Sequence, residues 1–322
     1  MEPAHVHLLH TSSELPVGQT NVYFIEGAFP TLVDTPLKGG VHVRELETAL
    51  NDLGYSIRDI KRIVVTHPHF DHFGAAAEIV DVSGAEVWTS RGGAKTLEYF
   101  QEEFERDMEY YGTIMQNSGA PGEPRVYLDD LRSWAGKYGC PVPVSRLLDD
   151  GDVVELGSSP YLVRAVPGHS PWCILLYPED RTFAFTGDFL LKEISSNALI
   201  QRPAEGSHGY RSLMVYRASL RMVRQMAIRT ALPGHGEIIR DVAGRIDELI
   251  DLMEQRKELV RRILDRGPKR PFSIVGAVFP ELTGEHRFLG ISEVIGHLEV
   301  LESEGAAFRM DDGYWAGTKG AG

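Results

Sequence analysis

Cysteine is nearly missing from this 322-residue chain: Cys140 and Cys173 are too few for a disulfide framework. No apolar run approaches the ~18 residues that span a bilayer. The N-terminus, Met1-Glu-Pro-Ala-His, lacks the basic and apolar regions of a secretory signal. A cytoplasmic protein with no membrane contact is therefore the expectation. Basic charge is also in short supply. Lys and Arg number 33 against 46 Asp and Glu, a net charge of −13, which argues against the basic footprint of a nucleic-acid binder. What the chain has is an ordinary globular balance, 43% hydrophobic and 25% charged. It is long enough for one large domain and a smaller one, and it carries 12 histidines.

Asn21–Ile25 and Thr31–Val33 read as antiparallel strands, the second ending at Asp34. Val43–Leu53 has apolar residues at helical spacing, with Gly54 behind it as a C-terminal cap. Four further strand-like runs follow one rule. Ile63–Val65 ends at Thr66-His67 and Tyr161–Val166 at Pro167-Gly168-His169. Thr182–Phe185 ends at Thr186-Gly187-Asp188 and Ala231-Leu232 at Pro233-Gly234-His235. Each delivers a His or Asp to the end of a strand. Gly precedes three of those residues, so the chain can turn sharply and other groups can come close.

Residues 95–145 interrupt the strands. Lys95–Met115 reads as a helix, followed by a Gly/Pro-rich turn at 119–124 and a second helix near Leu128–Lys137. A packed helical insertion and a lid both fit this segment. Arg211–Met226 is amphipathic. After it come Val242–Leu264, a short helix through Phe279 capped by Ser273, Ile291–Glu302, and a hairpin around Asp311-Asp312-Gly313. Three helices and a hairpin is the order of a winged-helix module, which divides the chain into 1–244 and 245–322. The second part holds eleven Lys and Arg against fourteen Asp and Glu. Its local basic run, Arg256 to Arg270, is interleaved with Glu258 and Asp265. Packing on the first domain, walling its pocket or forming a homodimer is expected of it, rather than binding nucleic acid.

The strongest signal is Thr66-His67-Pro68-His69-Phe70-Asp71-His72. His67 and His69, two apart at a strand end, can point the same way, and the turn that follows can aim Asp71 and His72 at a second position. Gly74 is expected to let the next helix, Phe73–Val82, start close by. Imidazole and carboxylate donors suit zinc, iron or manganese. A His-rich surface turn would account for one such pair, but not for the full motif followed by three further Gly-His or Gly-Asp strand ends. The remaining histidines are isolated. His5, His7 and His10 alternate on a partly exposed strand, and His42, His208, His286 and His297 read as surface or helix residues.

With His-x-His-x-Asp-His and the later His169, Asp188 and His235, the chain resembles the metallo-β-lactamase superfamily over about residues 5–245. The resemblance implies an α/β four-layer αββα sandwich with two divalent metal ions at one edge. It implies that His67, His69 and His169 hold one ion, that Asp71, His72 and His235 hold the other, and that Asp188 bridges them. Asp34 matches an aspartate near the end of an early strand and is expected to be structural support. A water shared by two such ions loses a proton near neutral pH and attacks a carbonyl or phosphoryl centre, with Asp71 orienting it or taking its proton.

Several activities share this ligand set. The glutathione-binding cluster of glyoxalase II-like enzymes is absent after Asp188, where the chain reads Phe189-Leu190-Leu191-Lys192-Glu193. Homoserine-lactone hydrolases often carry Tyr where Leu191 stands. Where many relatives have a second His, this chain has Cys173, expected to be a buried neutral thiol. The expectation is hydrolysis of a small-molecule acyl thioester or related ester. The alternatives are a lactonase, a metal-dependent nuclease or phosphodiesterase, and an iron-dependent persulfide dioxygenase. The aromatic residues of the insertion, Tyr99, Phe100, Phe104, Tyr110 and Tyr111, suit either an apolar acyl group or a core.

Overall fold

The computed structural model describes residues 5–203, 209–282 and 286–318; His208 lies outside them. Six strands form the first sheet in the order β1-β2-β3-β4-β5-β6: β1 (Val6–His10), β2 (Asn21–Ile25), β3 (Thr31–Val33), β4 (Arg62–Val65), β5 (Glu86–Ser90) and β6 (Arg146–Leu148). β1, β2 and β3 pair antiparallel, and β3 to β6 run parallel. The second sheet has the order β11-β10-β9-β8-β7: β7 (Val153–Leu156), β8 (Ser159–Ala165), β9 (Ile174–Tyr177), β10 (Phe183–Gly187) and β11 (Thr230–Pro233).

The two-residue period of the strands divides the apolar side chains between two cores. Tyr23 and Ile25 of β2, with Val33, Val64 and Trp88, meet Tyr161, Val163, Leu176, Phe183 and Phe185 of the second sheet. Their neighbours Val22 and Phe24, with Leu32, Ile63 and Val65, face away from that sheet. They pack on α1 (Gly40–Asp52) through Leu46 and Leu50, and on α3 (Ala76–Ser83) through Ile79. On the outer face of the second sheet, Leu175, Ala184 and Ala231 pack under α7 (Ser212–Met226) and α8 (Val242–Leu264). Each large aliphatic or aromatic side chain buried this way contributes roughly 1.5–3 kcal/mol. The result is the helix-sheet-sheet-helix layering that the resemblance implies.

Two helices depart from the sequence reading. The helix after the histidine motif is split: α2 (Phe70–Phe73) is one turn, and α3 starts again at Ala76. Gly74 lies in the break, where a Cβ would sit 2.7 Å from the Phe70 carbonyl oxygen of α2. A Cβ there would sit 2.4 Å from the Tyr138 carbonyl oxygen and 2.8 Å from the Lys38 nitrogen. Lys95–Met115 is not one helix but α4 (Ala94–Glu98) and α5 (Phe100–Asn117), broken at Tyr99, whose φ of −122° and ψ of 42° are not helical.

α6 (Pro124–Tyr138) completes the insertion, and α9 (Pro271–Val278), α10 (Arg287–Ser303) and the hairpin β12 (Ala307–Arg309) and β13 (Trp315–Gly317) follow α8. Ser273 lies inside α9, where its hydroxyl donates to the Arg270 carbonyl at 2.8 Å, and Arg270 takes the cap position. Met108, Tyr111, Met115 and Leu128 of the insertion share one core with Val260, Ile274, Ile291, Leu298 and Trp315. Phe100 is buried under the first sheet, whereas Tyr99 is 55% exposed. α8 lies in two cores, with Ile246 and Leu249 under the second sheet and Val260 and Leu264 against the insertion. Among the described residues no helix is long and apolar enough to cross a membrane.

Candidate metal centre

The strand ends anticipated from the sequence meet at one edge of the paired sheets. β4 leads to His67, β8 and its following loop to His169, β10 to Asp188 and β11 to His235. His69 stands at the N-cap of α2, and Asp71 and His72 lie within that single turn. Among the described residues, three groups of donor atoms, each with its atoms within 4.8 Å of one another, could hold a metal ion: His67, His69 and His169; Asp71, His72 and His235; and His67, His72 and Asp188. Asp188 lies between the first two groups. Its carboxylate oxygens are 3.4 Å from His72 Nε2, 3.5 Å from His235 Nε2 and 3.8 Å from His169 Nε2.

The glycines before these residues are there for space. A Cβ on Gly187, which has φ +46°, would sit 2.3 Å from Thr66 Oγ1. A Cβ on Gly234 would sit 2.4 Å from Asp188 Oδ1 and 2.5 Å from His72 Cε1.

The outer ring nitrogens fix the tautomers. His169 Nδ1 donates to the Asn197 carbonyl at 2.9 Å, and His235 Nδ1 donates to the Gln19 carbonyl at 2.8 Å. A carbonyl only accepts, so each ring keeps a hydrogen on Nδ1 and turns its Nε2 atom toward the centre. Asp34 does the same for the other pair. Its φ is +61°, a conformation that Asp tolerates better than most residues. Its carboxylate accepts from the Thr66 amide at 2.7 Å, the Thr66 hydroxyl at 2.8 Å and His72 Nδ1 at 2.9 Å. With its hydrogen committed to Asp34, the Thr66 oxygen accepts from His67 Nδ1 at 3.1 Å. Asp34 thus sets the orientation of His72 directly and of His67 through Thr66. Carboxylate–imidazole pairs of this kind fix metal-ligating rings.

His67 Nε2 and His169 Nε2 converge on His69 Nδ1 at 3.1 and 3.0 Å. One proton on His69 could serve only one of them. His72 Nε2, His235 Nε2 and Asp188 Oδ1 are buried without a hydrogen-bond partner, a costly state unless something else satisfies them. Burial and the neighbouring histidines hold His67 well below the usual imidazole range, and burial with His169 beside it pushes His69 down to about 3. Burial alone would raise the two aspartates, but His72 and His235 hold Asp71 at about 2 and Asp188 well below the carboxylate range. Burial works against a charged His72, yet Asp188, Asp71 and Asp34 raise it strongly. Burial likewise opposes a charge on His235, yet Asp188 and Asp71 raise it. Neutral imidazoles at His67, His69 and His169, with ionised carboxylates that pull positive charge onto His72 and His235, form a donor set that fits divalent ions.

His67 and His72 are fully buried, whereas His69 and Asp71 are partly exposed, so the centre opens on the side of α2. Cys173 is buried, and burial raises its thiol far above the usual range, so it is neutral. The isolated histidines His42 and His297 lie on α1 and α10 but are buried, not exposed. The sequence reading missed Asn197 and Gln19, which act through backbone carbonyls and leave no side-chain signature.

The Metallo-beta-lactamase superfamily profile matches residues 15–235. The chain is similar along its length to a probable metallo-hydrolase, YqjP, of Bacillus subtilis (strain 168): 29% identical over 319 residues, 98% of this chain and 97% of that protein. Its structure is similar to that of a metallo-beta-lactamase family protein from Thermus thermophilus, with a TM-score of 0.84, 26% identity, and coverage of 99% of this chain and 100% of that one. A stretch of 129 residues, 39% of this chain and 40% of the other, is 32% identical to the acyl-coenzyme A thioesterase MBLAC2 of Gallus gallus. From the strand pairing to the seven gathered His and Asp side chains, and by a match that reaches His235, the chain belongs to the metallo-β-lactamase superfamily, whose fold implies divalent metal ions.

Proposed function

We propose that this chain is a dinuclear metal-dependent hydrolase that cleaves an acyl thioester or related ester. The observation that carries the reading is the pair of adjacent donor groups, His67/His69/His169 and Asp71/His72/His235, with Asp188 reaching both. When bound, two divalent ions, zinc being the first choice and iron or manganese the others, supply an activated water at neutral pH and polarise the electrophile. The protein's part is to hold His67, His72, His169 and His235 by outer hydrogen bonds, and to leave His69 and Asp71 partly accessible. Asp71, ionised and partly exposed with one oxygen 3.3 Å from His235 Nε2, would orient the attacking water or take its proton.

The thioester class is supported by the likeness to the Gallus gallus acyl-coenzyme A thioesterase, which covers only part of either chain. We propose further that α8, α9, α10 and the hairpin form a winged-helix module that packs on the catalytic body rather than on nucleic acid. The test is thiol release from a panel of acyl-coenzyme A and acyl-glutathione thioesters. Release from the metal-loaded protein should be abolished by a chelator and in His67→Ala. A fully metallated protein that releases no thiol from any member would reject the thioester class.

A further inference from the structure

The segment after β10, residues 189–200, is bound by α7, through the Tyr216 hydroxyl to the Phe189 carbonyl at 2.7 Å and the Ser212 hydroxyl to the Leu199 carbonyl at 2.6 Å, and by the C-terminal helices. Arg245 of α8 donates through Nε to the Leu191 carbonyl at 2.8 Å and through a terminal nitrogen to the Ile194 carbonyl at 2.9 Å. The Asn197 side-chain amide donates to the Leu289 carbonyl of α10 at 3.0 Å. The Ser292 hydroxyl of α10 accepts from the Ile200 amide at 2.7 Å and donates to the Ala198 carbonyl at 3.4 Å. Ser292 is buried, so neither partner has water to fall back on. The carbonyl of Asn197 accepts from His169 Nδ1 at 2.9 Å. An unbroken line of contacts therefore runs from α10 through residues 197–200 to one imidazole of the centre. His235, by contrast, is braced by Gln19, and His67 and His72 by Asp34 and Thr66, all from the sheet body.

We infer that α10 is a working part of the metal centre: Ser292, and Asn197 through its bond to Leu289, are positioning residues that set the orientation of His169 and hence the affinity of the His67/His69/His169 group alone. This rests on the reading of the seven side chains as metal ligands. A carbonyl bonded to the outer nitrogen fixes the plane of the ring. Freeing that carbonyl lets the ring rotate away from its two partners and weakens one group of donors while the other keeps its brace.

The experiment is competition titration of the full-length protein with Zn2+ against a chromophoric chelator, alongside thermal unfolding of the metal-free forms. Wild type should bind two ions. Ser292→Ala and Asn197→Ala should each weaken one ion by about 10- to 100-fold and leave the other unchanged. Ser303→Ala, which removes a hydroxyl bond to the Val300 carbonyl in the same helix, should change neither ion. In a His169→Ala background the two substitutions should have no further effect on the ion that remains. Two ions held with wild-type affinity in both variants would overturn the inference and leave the metal reading intact. Parallel weakening of both ions with a lowered melting temperature would also overturn it, since that is the signature of general destabilisation. A wild type that binds no ion would overturn the metal reading itself, and this inference with it.

Discussion

Gly234 shows what a single residue contributes here. With hydrogen in place of a methyl, Asp188 and His72 can lie against its Cα, and a Cβ there would stand 2.4 and 2.5 Å from them. Neither neighbour can give way cheaply: the Asp188 carboxylate sits among three ring nitrogens, and His72 is tied to Asp34. Gly234→Ala is therefore expected to keep the fold, seen as an unchanged circular dichroism spectrum, and to lower zinc affinity by about tenfold or more. Wild-type affinity in that variant would mean that the carboxylate is not held where metal binding needs it. At this scale the gathering of the candidate ligands is legible in the sequence. Spacing, glycine placement and resemblance single out His67, His69, Asp71, His72, His169, Asp188 and His235, and the chain brings all seven together. Asp34, expected to be supporting, accepts three hydrogen bonds in that role. The carbonyls of Asn197 and Gln19 are not legible, because every residue has a carbonyl and only the tertiary path selects one.

α10 illustrates the scale of the element. Its side chains are buried on nearly all sides, against α7, α8, α9 and the insertion, so no apolar stripe marks a single buried face. It nonetheless carries Glu299 into this packing. Burial raises that carboxyl to about 7; Glu302 adds to the rise, and Arg211 and Arg309 oppose it. The folded chain therefore holds the proton to higher pH than the unfolded chain does. The resulting stability is complete below the ordinary carboxyl pKa and is lost as pH rises through about 7. Glu299→Gln, which keeps the shape without the titration, should raise the melting temperature relative to wild type at about pH 8 and give little change at about pH 4.5. Equal shifts at both pH values would show that charge at this position is not the cause. Elements with one buried face are legible closely: the spacing predicts a helix over Val242–Leu264, and α8 spans those residues. The break at Tyr99 is not legible, since Leu97, Phe100 and Phe104 keep a helical spacing straight through it. Those side chains end up in contact with α6 and the first sheet, and tertiary packing, not local preference, sets the break.

For the whole molecule, the two sheets supply a rigid frame in which one edge gathers ligands from separate strand ends and one turn. A buried set of imidazoles and ionised carboxylates with unpartnered donor atoms gains from a bound cation, so metal binding and folding stability are linked. Removing metal with a chelator should lower the melting temperature of the wild type and should have much less effect on His67→Ala, which has already lost a shared donor. The layering of the sandwich is legible through the resemblance. The commitment of the 95–145 insertion to a common core with the last three helices is not, because apolar spacing shows that a face is buried and does not show against what.

The most direct test of the central claim is the metal content of the protein saturated with zinc and freed of excess. Two ions per chain in the wild type, with one lost in His169→Ala, is the predicted result. A single tightly held iron in the protein as isolated, with oxygen consumed during turnover, would contradict the dinuclear hydrolase and favour oxidative chemistry at the same histidines.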